Sequence, residues 1–260
     1  MIKKRTLIKS FKTGSYSPDK TVLPYTVFAE YYDSVLSYLN YRSWLRYIQK
    51  VFDFFNIQAK SILEIASGTG KLAHFLSRYY SLLASDNSDY MIQVMKNHYP
   101  ELIVKKLDMK KFSLARTFDA ILSFNDNVNY LQTENDLRSH FSCMRDHLSE
   151  NGLFLFDCTP TYNIKKNFLK KPLIKKMGDK VIRWTTYLME NDTVIQVNID
   201  ILDLRTGEIL REEHVQYIHS PDMLIGLLKE SGFKKVLVFD GFTLNLPHTE
   251  SEHFHIAALA

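Results

Sequence analysis

A strand, a glycine turn and the start of a helix follow one another in SILEIASGTGKLAHFL, residues 61–76. The apolar run has the length and β-branched content of a buried strand, and Gly68 and Gly70 supply the turn. Such a turn brings backbone N–H groups against a nucleotide-like ligand at the start of a helix. The stretch therefore predicts an α/β chain that binds a ligand of this kind.

Three ligand classes fit this turn: a dinucleotide, a phosphate and S-adenosylmethionine (SAM). Gly68, Gly70 and Ala73 satisfy G-x-G-x-x-A, and Asp86 follows at the distance of a ribose-binding acid, which taken alone fits a dinucleotide. Glu64 argues against it, because a carboxylate just before the turn repels pyrophosphate but suits the sulfonium and ammonium of SAM. The pattern G-x-x-x-x-G-K-[ST] is absent from the sequence, so the P-loop interpretation fails.

Acidic residues end three successive predicted strands, at Glu64, Asp86 and Asp108. Any one of them also fits a helix N-cap or a solvated turn, since acids favour helix N-termini. The ordered set suits ribose hydroxyls, an adenine amino group and a cationic methionine tail. We therefore expect SAM as the cofactor, and no binding of NAD.

Strands and helices alternate through the middle of the chain, and this alternation stops after Pro160. It is typical of a parallel sheet, whereas the three strand-like segments that follow Pro160 are separated by turns and read as antiparallel. The predicted fold class is α/β, a Rossmann-like seven-stranded sheet with helices on both faces, an N-terminal helical cap and a small antiparallel β insert after the fifth strand. The expected divisions are the cap at 1–58, with weak order at 1–20, the core at 59–164 and 220–260, and the insert at 165–219.

Composition places the chain among ordinary globular proteins, with 45% apolar and 24% charged residues in 260. Cys143 and Cys158 lack metal-ligand spacing and fit a reducing compartment. The basic start has no apolar signal region, and no apolar run has the length of a membrane span. We therefore expect a cytoplasmic protein without a metal site and without membrane contact.

Lysines are concentrated in the segment NIKKNFLKKPLIKKMGDK, and the net charge of the chain is +4. The cluster comprises Lys165, Lys166, Lys170, Lys171, Lys175, Lys176 and Lys180. It suits nucleic acid or an acidic substrate in charge, but aromatic residues for base stacking are sparse there. A solvated surface is the favoured interpretation.

The ordered motifs EIASGTG, ASDNSDYM, KLDM, FDAILSFNDNVNYL and HLSENGLFLFD resemble the class I SAM-dependent methyltransferases. The resemblance covers about residues 25–260. The family usually has Asp where this chain has Glu64, and Gly where it has Ala66. Both departures are mild, because the charge is kept and Ala is the next smallest residue.

A narrower resemblance rests on YYDSVLSYLNYRSW, NDNVNYLQTENDL, FDCTPTYNIKKNF and REEHVQYIHSPDMLIGLLKESGF. These stretches are similar to a bacterial group of small-molecule methyltransferases related to the aminosugar N,N-dimethyltransferases, which carry a similar antiparallel insert. The resemblance implies cofactor-binding roles for residues of several segments. They are Glu64, Ala66, Gly68 and Gly70 on the methionine side, Asp86, Asn87 and Met91 at the ribose, Asp108 and Met109 at the adenine, Phe124 and Asn125 beside the sulfonium, and Tyr32, Tyr41 and Trp44 closing the pocket from the N-terminal helices.

Methyl transfer needs mainly the alignment of nucleophile, methyl and sulfur, and a base only where the nucleophile is protonated. Tyr130, Asp126 and His214 are the predicted catalytic residues, with Glu213 and Tyr32 as further candidates. Tyr130 follows the fourth predicted strand at the mouth of the sheet, where ligands of open α/β folds bind. Packing of its ring in the following loop is an equally good interpretation. For His214, a paired residue on a surface strand is the favoured interpretation.

The sequence thus predicts a methyltransferase that acts on a small molecule, at nitrogen, as a monomer or homodimer. An RNA methyltransferase that uses the lysine cluster and a SAM-binding regulatory protein without turnover remain as alternatives. The N-P-P-Y motif expected for amino groups of bases is absent, and SFNDN stands in its place. No feature of the sequence identifies the acceptor.

Overall fold

Two sheets and their flanking helices make up the computed structural model, which describes residues 2–169 and 171–260, with side chains from residue 6 onward. The strands are β1 (Lys20–Val22), β2 (Ser61–Glu64), β3 (Ser81–Asp86), β4 (Ile103–Lys106), β5 (Phe118–Ser123), β6 (Leu148–Cys158), β7 (Leu173–Met177), β8 (Lys180–Met189), β9 (Val194–Asp203), β10 (Ile209–Tyr217), β11 (Lys235–Asp240) and β12 (Phe254–Leu259). The helices are α1 (Ile2–Thr13), α2 (Tyr32–Val35), α3 (Tyr41–Phe55), α4 (Lys71–Leu76), α5 (Asp89–His98), α6 (Glu134–Asp146), α7 (Thr161–Asn163) and α8 (Pro221–Glu230). Short helical turns cover Phe28–Glu30, Asn127–Tyr130 and Ile164–Phe168.

The larger sheet has seven strands in the order β11-β12-β6-β5-β2-β3-β4. All of them run parallel except β12, which is antiparallel to both of its neighbours. The strand order reverses between β2 and β5, and open α/β sheets bind ligands in the crevice at such a point. The predicted α/β fold with a central parallel sheet flanked by helices is confirmed.

Helices cover both faces of this sheet because its central strands are apolar on both sides. On β2, Ile62 packs with Ile48 of α3 on one face, and Leu63 packs with Phe141 of α6 and Leu224 of α8 on the other. All five side chains are fully buried. Burying each one contributes about 1.5–3 kcal/mol, so the two faces hold the carboxyl edge of the sheet rigidly in place.

The second sheet has five strands in the order β1-β10-β9-β8-β7, of which only β1 pairs parallel to its neighbour among the described strands. The sequence predicted three of them, β8, β9 and β10. β7 lies in the lysine cluster, and β1 has three residues just before Pro24, so neither shows a clear apolar alternation. β1 links the predicted helical cap to the insert, and the division into cap, core and insert stays a proposal.

The expectation of weak order at residues 1–20 is wrong for Ile2–Thr13, and Met1 lies outside the described residues. Helix α1 spans Ile2–Thr13 and packs on the second sheet through Phe11, which is fully buried beside Val181 and Leu202. The helix was not predicted because the many basic residues of this segment make its one apolar face hard to see in the sequence. No helix within residues 2–169 and 171–260 is long and apolar enough to cross a membrane.

Candidate active site

A cavity of about 480 Å³ lies at the carboxyl edge of the large sheet, next to the point where the strand order reverses. Its floor is formed by residues that end β2, β3 and β4, and its opposite wall by the segment 24–32 that precedes and includes the start of α2. The volume is in the range of about 300–1,000 Å³ that is typical of small-molecule sites. Twelve of the fourteen predicted cofactor-binding residues line this cavity.

The glycine turn after β2 has an unusual backbone. Ala66, Gly68 and Gly70 have positive φ values of 52°, 57° and 79°. Ala66 and Gly68 line the cavity, and a Cβ added at Gly68 would meet no described atom within 4 Å, so it would stand in the open space there. Gly70 does not line the cavity: a Cβ there would come within 2.3 Å of the Met95 side chain, so this glycine allows packing against α5.

Glu64 ends β2 as a buried carboxylate, 4% exposed, on the wall of the cavity. Its Oε2 atom has no hydrogen-bond partner among the described residues. Burial raises the pKa of Glu64 to about 8, because nearby groups provide little compensation for the loss of water. An unpaired buried carboxylate fits a cationic ligand, and it therefore fits SAM.

The next two strands place their acids along the same edge. Asp86 accepts hydrogen bonds from the Gly68 N–H at 2.8 Å and the Ser88 N–H at 2.9 Å, and burial still raises the pKa of its carboxyl. Four further predicted residues line the cavity beyond it. They are Asn87 and Met91 after β3, and Asp108 and Met109 after β4.

The wall opposite the floor comes from the N-terminal segment. Tyr32 and Tyr41 line the cavity, and Asp33 beside them accepts a hydrogen bond of 2.8 Å from the Thr69 hydroxyl in the glycine turn. Trp44, also predicted here, does not line it. Its ring lies behind the wall, 5.3 Å from the Tyr41 ring and 5.4 Å from the Phe124 ring, and it supports both.

The loop after β5 completes the cavity and corrects one prediction. Phe124 and Asn125 line the cavity as expected. Asn125 and Asp126 both have positive φ, 71° and 59°, and their N–H groups donate to the Asp157 carboxylate at 3.1 and 2.8 Å. This turn directs the Asp126 side chain away from the cavity, to the Thr159 hydroxyl at 2.7 Å, so the structure gives no support to a catalytic role for Asp126.

The other two predicted catalytic residues are in contact with each other. Tyr130 lines the cavity, and its hydroxyl lies 3.0 Å from Nδ1 of His214. His214 lies behind Tyr130 on β10 and is only 3% exposed, so the favoured interpretation of a surface strand residue is wrong. Of the further candidates, Tyr32 lines the cavity, and Glu213 points to solvent from the other face of β10.

The sequence reasoning missed three residues that shape the site. Tyr25 lines the cavity and its hydroxyl lies 2.8 Å from that of Tyr130. The Glu212 carboxylate accepts the N–H groups of Tyr25, Val27 and Phe28, and Asp157 holds the loop after β5. The last two carried a signal: Asp157 comes near the end of a strand as the three predicted acids do, and Glu212 alternates with His214.

Comparisons with known proteins agree with this geometry. Residues 62–152 match the Methyltransferase domain family. A protein of Geobacillus sp. (strain WCH70), named as a candidate methyltransferase, is 28% identical over 91% of this chain and 99% of its own. A dTDP-3-amino-3,4,6-trideoxy-alpha-D-glucopyranose N,N-dimethyltransferase of Streptomyces venezuelae is 25% identical over 58% of this chain and 65% of its own.

Among solved structures, the fold is similar to that of an S-adenosylmethionine-dependent methyltransferase from Clostridium acetobutylicum ATCC 824. The TM-score is 0.76 at 21% identity, over 90% of this chain and 98% of the other. The glycine turn of the cavity and the unpartnered Oε2 atom of Glu64 fit SAM. The chain is therefore a class I SAM-dependent methyltransferase, with SAM as its cofactor, and is related to the aminosugar N,N-dimethyltransferases.

Proposed function

We propose that this methyltransferase acts on a nitrogen atom of a small-molecule acceptor. The observation that carries the proposal is a wall of the cavity formed by three tyrosines, Tyr25, Tyr32 and Tyr130. Tyr25 and Tyr32 belong to the N-terminal segment, which is held to β10. Neutral hydroxyl groups and aromatic rings suit an amine, as hydrogen-bond acceptors and as cation–π partners. The N,N-dimethyltransferase among the relatives supports the same acceptor chemistry.

SAM supplies a methyl group on a cationic sulfur, and we propose how this chain's residues hold it. Glu64 pairs with the positive charge of the methionine end, and Gly68 leaves space for the ligand to approach the backbone. Asp86 accepts the ribose hydroxyls with its carboxylate, and Asp108 and Met109 contact the adenine. With the cofactor held at these points, the enzyme's main contribution is to orient the acceptor nitrogen toward the methyl group.

The lysine cluster supports a small-molecule acceptor more than RNA. Among the described lysines of the cluster, several are already paired with groups of this chain; Lys170 lies outside the described residues. The pairs are Lys165–Asp192, Lys166–Glu252, Lys180–Asp203, and Lys175 with the carbonyl oxygens of Ser34 and Val35. Phosphate contacts would have to displace these partners, which lowers the affinity gained from counterion release.

Calorimetric titration with SAM, S-adenosylhomocysteine and NAD tests the cofactor part of the proposal. We expect binding of the first two and none of NAD, because a cationic ligand favours the ionised form of the buried Glu64 carboxyl, whereas a pyrophosphate beside it would oppose that form further. Micromolar binding of NAD without binding of SAM would contradict the assignment of the floor.

Transfer of a labelled methyl group from SAM to a panel of acceptors tests the nitrogen part. The panel pairs dTDP-linked 3-amino sugars and simple primary amines with matched alcohols, thiols and total cellular RNA. We expect label in the amines and filter retention of RNA only at low salt. Label in RNA, with nanomolar retention at physiological salt, would establish the RNA alternative, and SAM binding without any labelled product would favour a regulatory protein.

A further inference from the structure

A chain of buried polar groups leads from the cavity into the second sheet. The Tyr25 hydroxyl lies 2.8 Å from the Tyr130 hydroxyl, which lies 3.0 Å from His214 Nδ1, and His214 Nε2 lies 3.5 Å from Glu212 Oε2. The two tyrosines line the cavity, whereas the side chains of His214 and Glu212 are 3% and 0% exposed. The order of the four groups is therefore fixed from the cavity inward.

The strand pattern of β10 creates this arrangement. Glu212, His214 and Gln216 alternate along the strand and share the face that meets Tyr130. On the same face, Glu212 accepts the backbone N–H of Tyr25 at 2.6 Å. One strand thus positions the histidine, its carboxylate partner and both tyrosines.

The position of His214 between a hydroxyl and a carboxylate favours one tautomer. Nε2 faces Glu212 Oε2 and has no closer hydrogen-bond partner within the described residues. A proton on Nε2 is stabilised by that carboxylate, which leaves Nδ1 as a lone pair that accepts the Tyr130 hydroxyl proton. His214 is in this state a neutral base connected to the cavity through one hydroxyl.

An amine acceptor needs a base, because it must lose a proton before it can accept a methyl group. An aliphatic amine is mostly an ammonium ion at neutral pH, and the ammonium has no lone pair with which to attack a methyl group. Burial raises the pKa of Tyr130 to about 12, so this tyrosine stays neutral and serves as a carrier of protons rather than as the base. Histidine is the side chain that accepts a proton in this pH range.

We propose that Tyr130 and His214 form a proton relay that converts the acceptor's ammonium group to the nucleophilic amine, with Glu212 as the positioning residue. The proposal rests on the nitrogen acceptor proposed above. In the step, the ammonium N–H bond breaks and its proton moves to the Tyr130 oxygen, while the Tyr130 proton moves to His214 Nδ1. The products are a neutral amine, an unchanged tyrosine and an imidazolium ion beside Glu212, so protons and charge are conserved.

The surrounding charges are compatible with this step. Tyr25 hydrogen-bonds to the Tyr130 hydroxyl, and Asp86 and Asp126 are the acids that act on Tyr130 through space. Glu212 is the acid that faces His214 within the described residues, and the Tyr25 ring lies 4.7 Å from the histidine ring. The acids near Tyr130 oppose a phenolate there, so the hydroxyl passes a proton on and does not lose one for good.

Nitrogen-15 NMR of the imidazole tests the relay without an acceptor. In the parent protein, His214 should carry its proton on Nε2, and Nδ1 should show the shift of a hydrogen-bonded lone pair. Tyr130→Phe should move the Nδ1 resonance toward that of a free lone pair, with SAM affinity within about twofold of the parent because the hydroxyl orients the acceptor. A proton on Nδ1 of the parent, or an Nδ1 resonance that ignores Tyr130→Phe, overturns the relay.

The pH dependence of turnover tests it on an amine that the panel identifies. At neutral pH, Tyr130→Phe and His214→Asn should each lower kcat about tenfold to a hundredfold, and Glu212→Gln should lower it less. The loss should shrink as the pH rises above the acceptor's own pKa, because the amine is then already neutral. His98→Asn, an exposed histidine on α5, is the matched control and should keep parent kinetics.

Two failures are distinguishable. If the parent binds SAM and methylates no amine, the proposed acceptor class is overturned and the relay with it. If the parent methylates an amine and the two variants lose no activity, or lose it equally at every pH, the relay alone is overturned.

Discussion

The cavity is bounded by two regions that are held in place in different ways. Its floor is the carboxyl edge of β2, β3 and β4, where the ladder of a parallel sheet fixes the ends of the strands. The wall opposite the floor, called the roof below, is the segment 24–32, and the Glu212 carboxylate holds it to β10. Glu212 accepts the N–H groups of Tyr25, Val27 and Phe28 at 2.6, 2.7 and 2.8 Å.

This difference determines what a substitution does. The floor's ligand-facing groups, such as the free Glu64 Oε2, are not needed by the sheet, and changing them should affect ligand binding more than folding. Three backbone N–H groups of the roof depend on one buried carboxylate from another part of the chain, and changing it should affect folding and binding together. Asp157, which accepts two N–H groups of the loop after β5, is an intermediate case.

The largest effect is expected at the attachment of the roof. Glu212→Ala leaves three backbone N–H groups of the roof without their acceptor, at about 1–3 kcal/mol for each that stays buried and unpaired. We expect the free energy of unfolding to fall by about 3 kcal/mol or more, with weaker SAM binding because Tyr25 and Tyr32 lose their support. Urea denaturation and calorimetry measure the two quantities.

The neighbouring Glu213 provides the control, since it points to solvent from the opposite face of β10. Glu213→Ala should keep parent stability and SAM affinity. Equal stability of the two variants would mean that the roof is not fastened by Glu212, and the contrast between roof and floor would be lost.

The next effect is expected in the floor. Gly68 has a φ of +57°, and a side chain there would enter the cavity, so Gly68→Val should reduce SAM affinity by a hundredfold or more. Gly178, in the turn between β7 and β8, has nearly the same φ of +56° and equally open space, and it does not line the cavity. Gly178→Val should show the same backbone strain in urea denaturation and unchanged SAM affinity. Similar affinities of the two variants would place the ligand elsewhere.

The two regions also differ in how much the sequence reveals. The floor was predictable because strand ends and turns are local patterns: Glu64, Asp86 and Asp108 each close an apolar run, and in the structure they line one cavity. The roof was not, because the contact between Glu212 and Tyr25 joins residues 187 positions apart: the alternation of Glu212 with His214 indicates a shared strand face but not the partner of Glu212.

Where local reasoning failed within the site, a packing or backbone detail decided the outcome. Gly70 belongs to the glycine motif but is needed for the close approach of Met95, and Trp44 supports the wall from behind. Asp126 has a left-handed backbone that turns its carboxylate to Thr159. Each of these residues was placed in the correct neighbourhood by its motif, but the direction of its side chain depends on contacts that a single sequence does not show.

A smaller effect is expected when one ligand contact of the floor is weakened. Asp86→Asn removes the negative charge proposed to bind the ribose hydroxyls, and its single amide oxygen can accept from only one of the two N–H groups, those of Gly68 and Ser88, that the carboxylate accepts in the parent. We expect SAM affinity to fall by about 1–3 kcal/mol, with the fold intact. Asp89→Asn is the control: Asp89 follows Asp86 by three residues, is exposed on α5, and its variant should bind SAM as the parent does. An unchanged affinity for Asp86→Asn would remove Asp86 from the ribose site.

The smallest effect is the pH dependence contributed by Glu64, whose pKa burial raises to about 8. In the unfolded chain this carboxyl ionises at about 4.3, so between these values folding binds a proton and stability falls as the pH rises. A cationic ligand beside Glu64 favours the ionised form, so SAM binding releases that proton below about pH 8. The affinity for SAM should therefore increase severalfold from pH 6 to pH 8 and then level off.

Glu64→Gln should bind SAM more weakly, and its affinity should lack the part of the pH dependence that Glu64 contributes. Calorimetry in two buffers of different ionisation enthalpy counts the released proton directly. Equal slopes for the parent and Glu64→Gln would show that the ligand's charge does not lie beside this carboxylate.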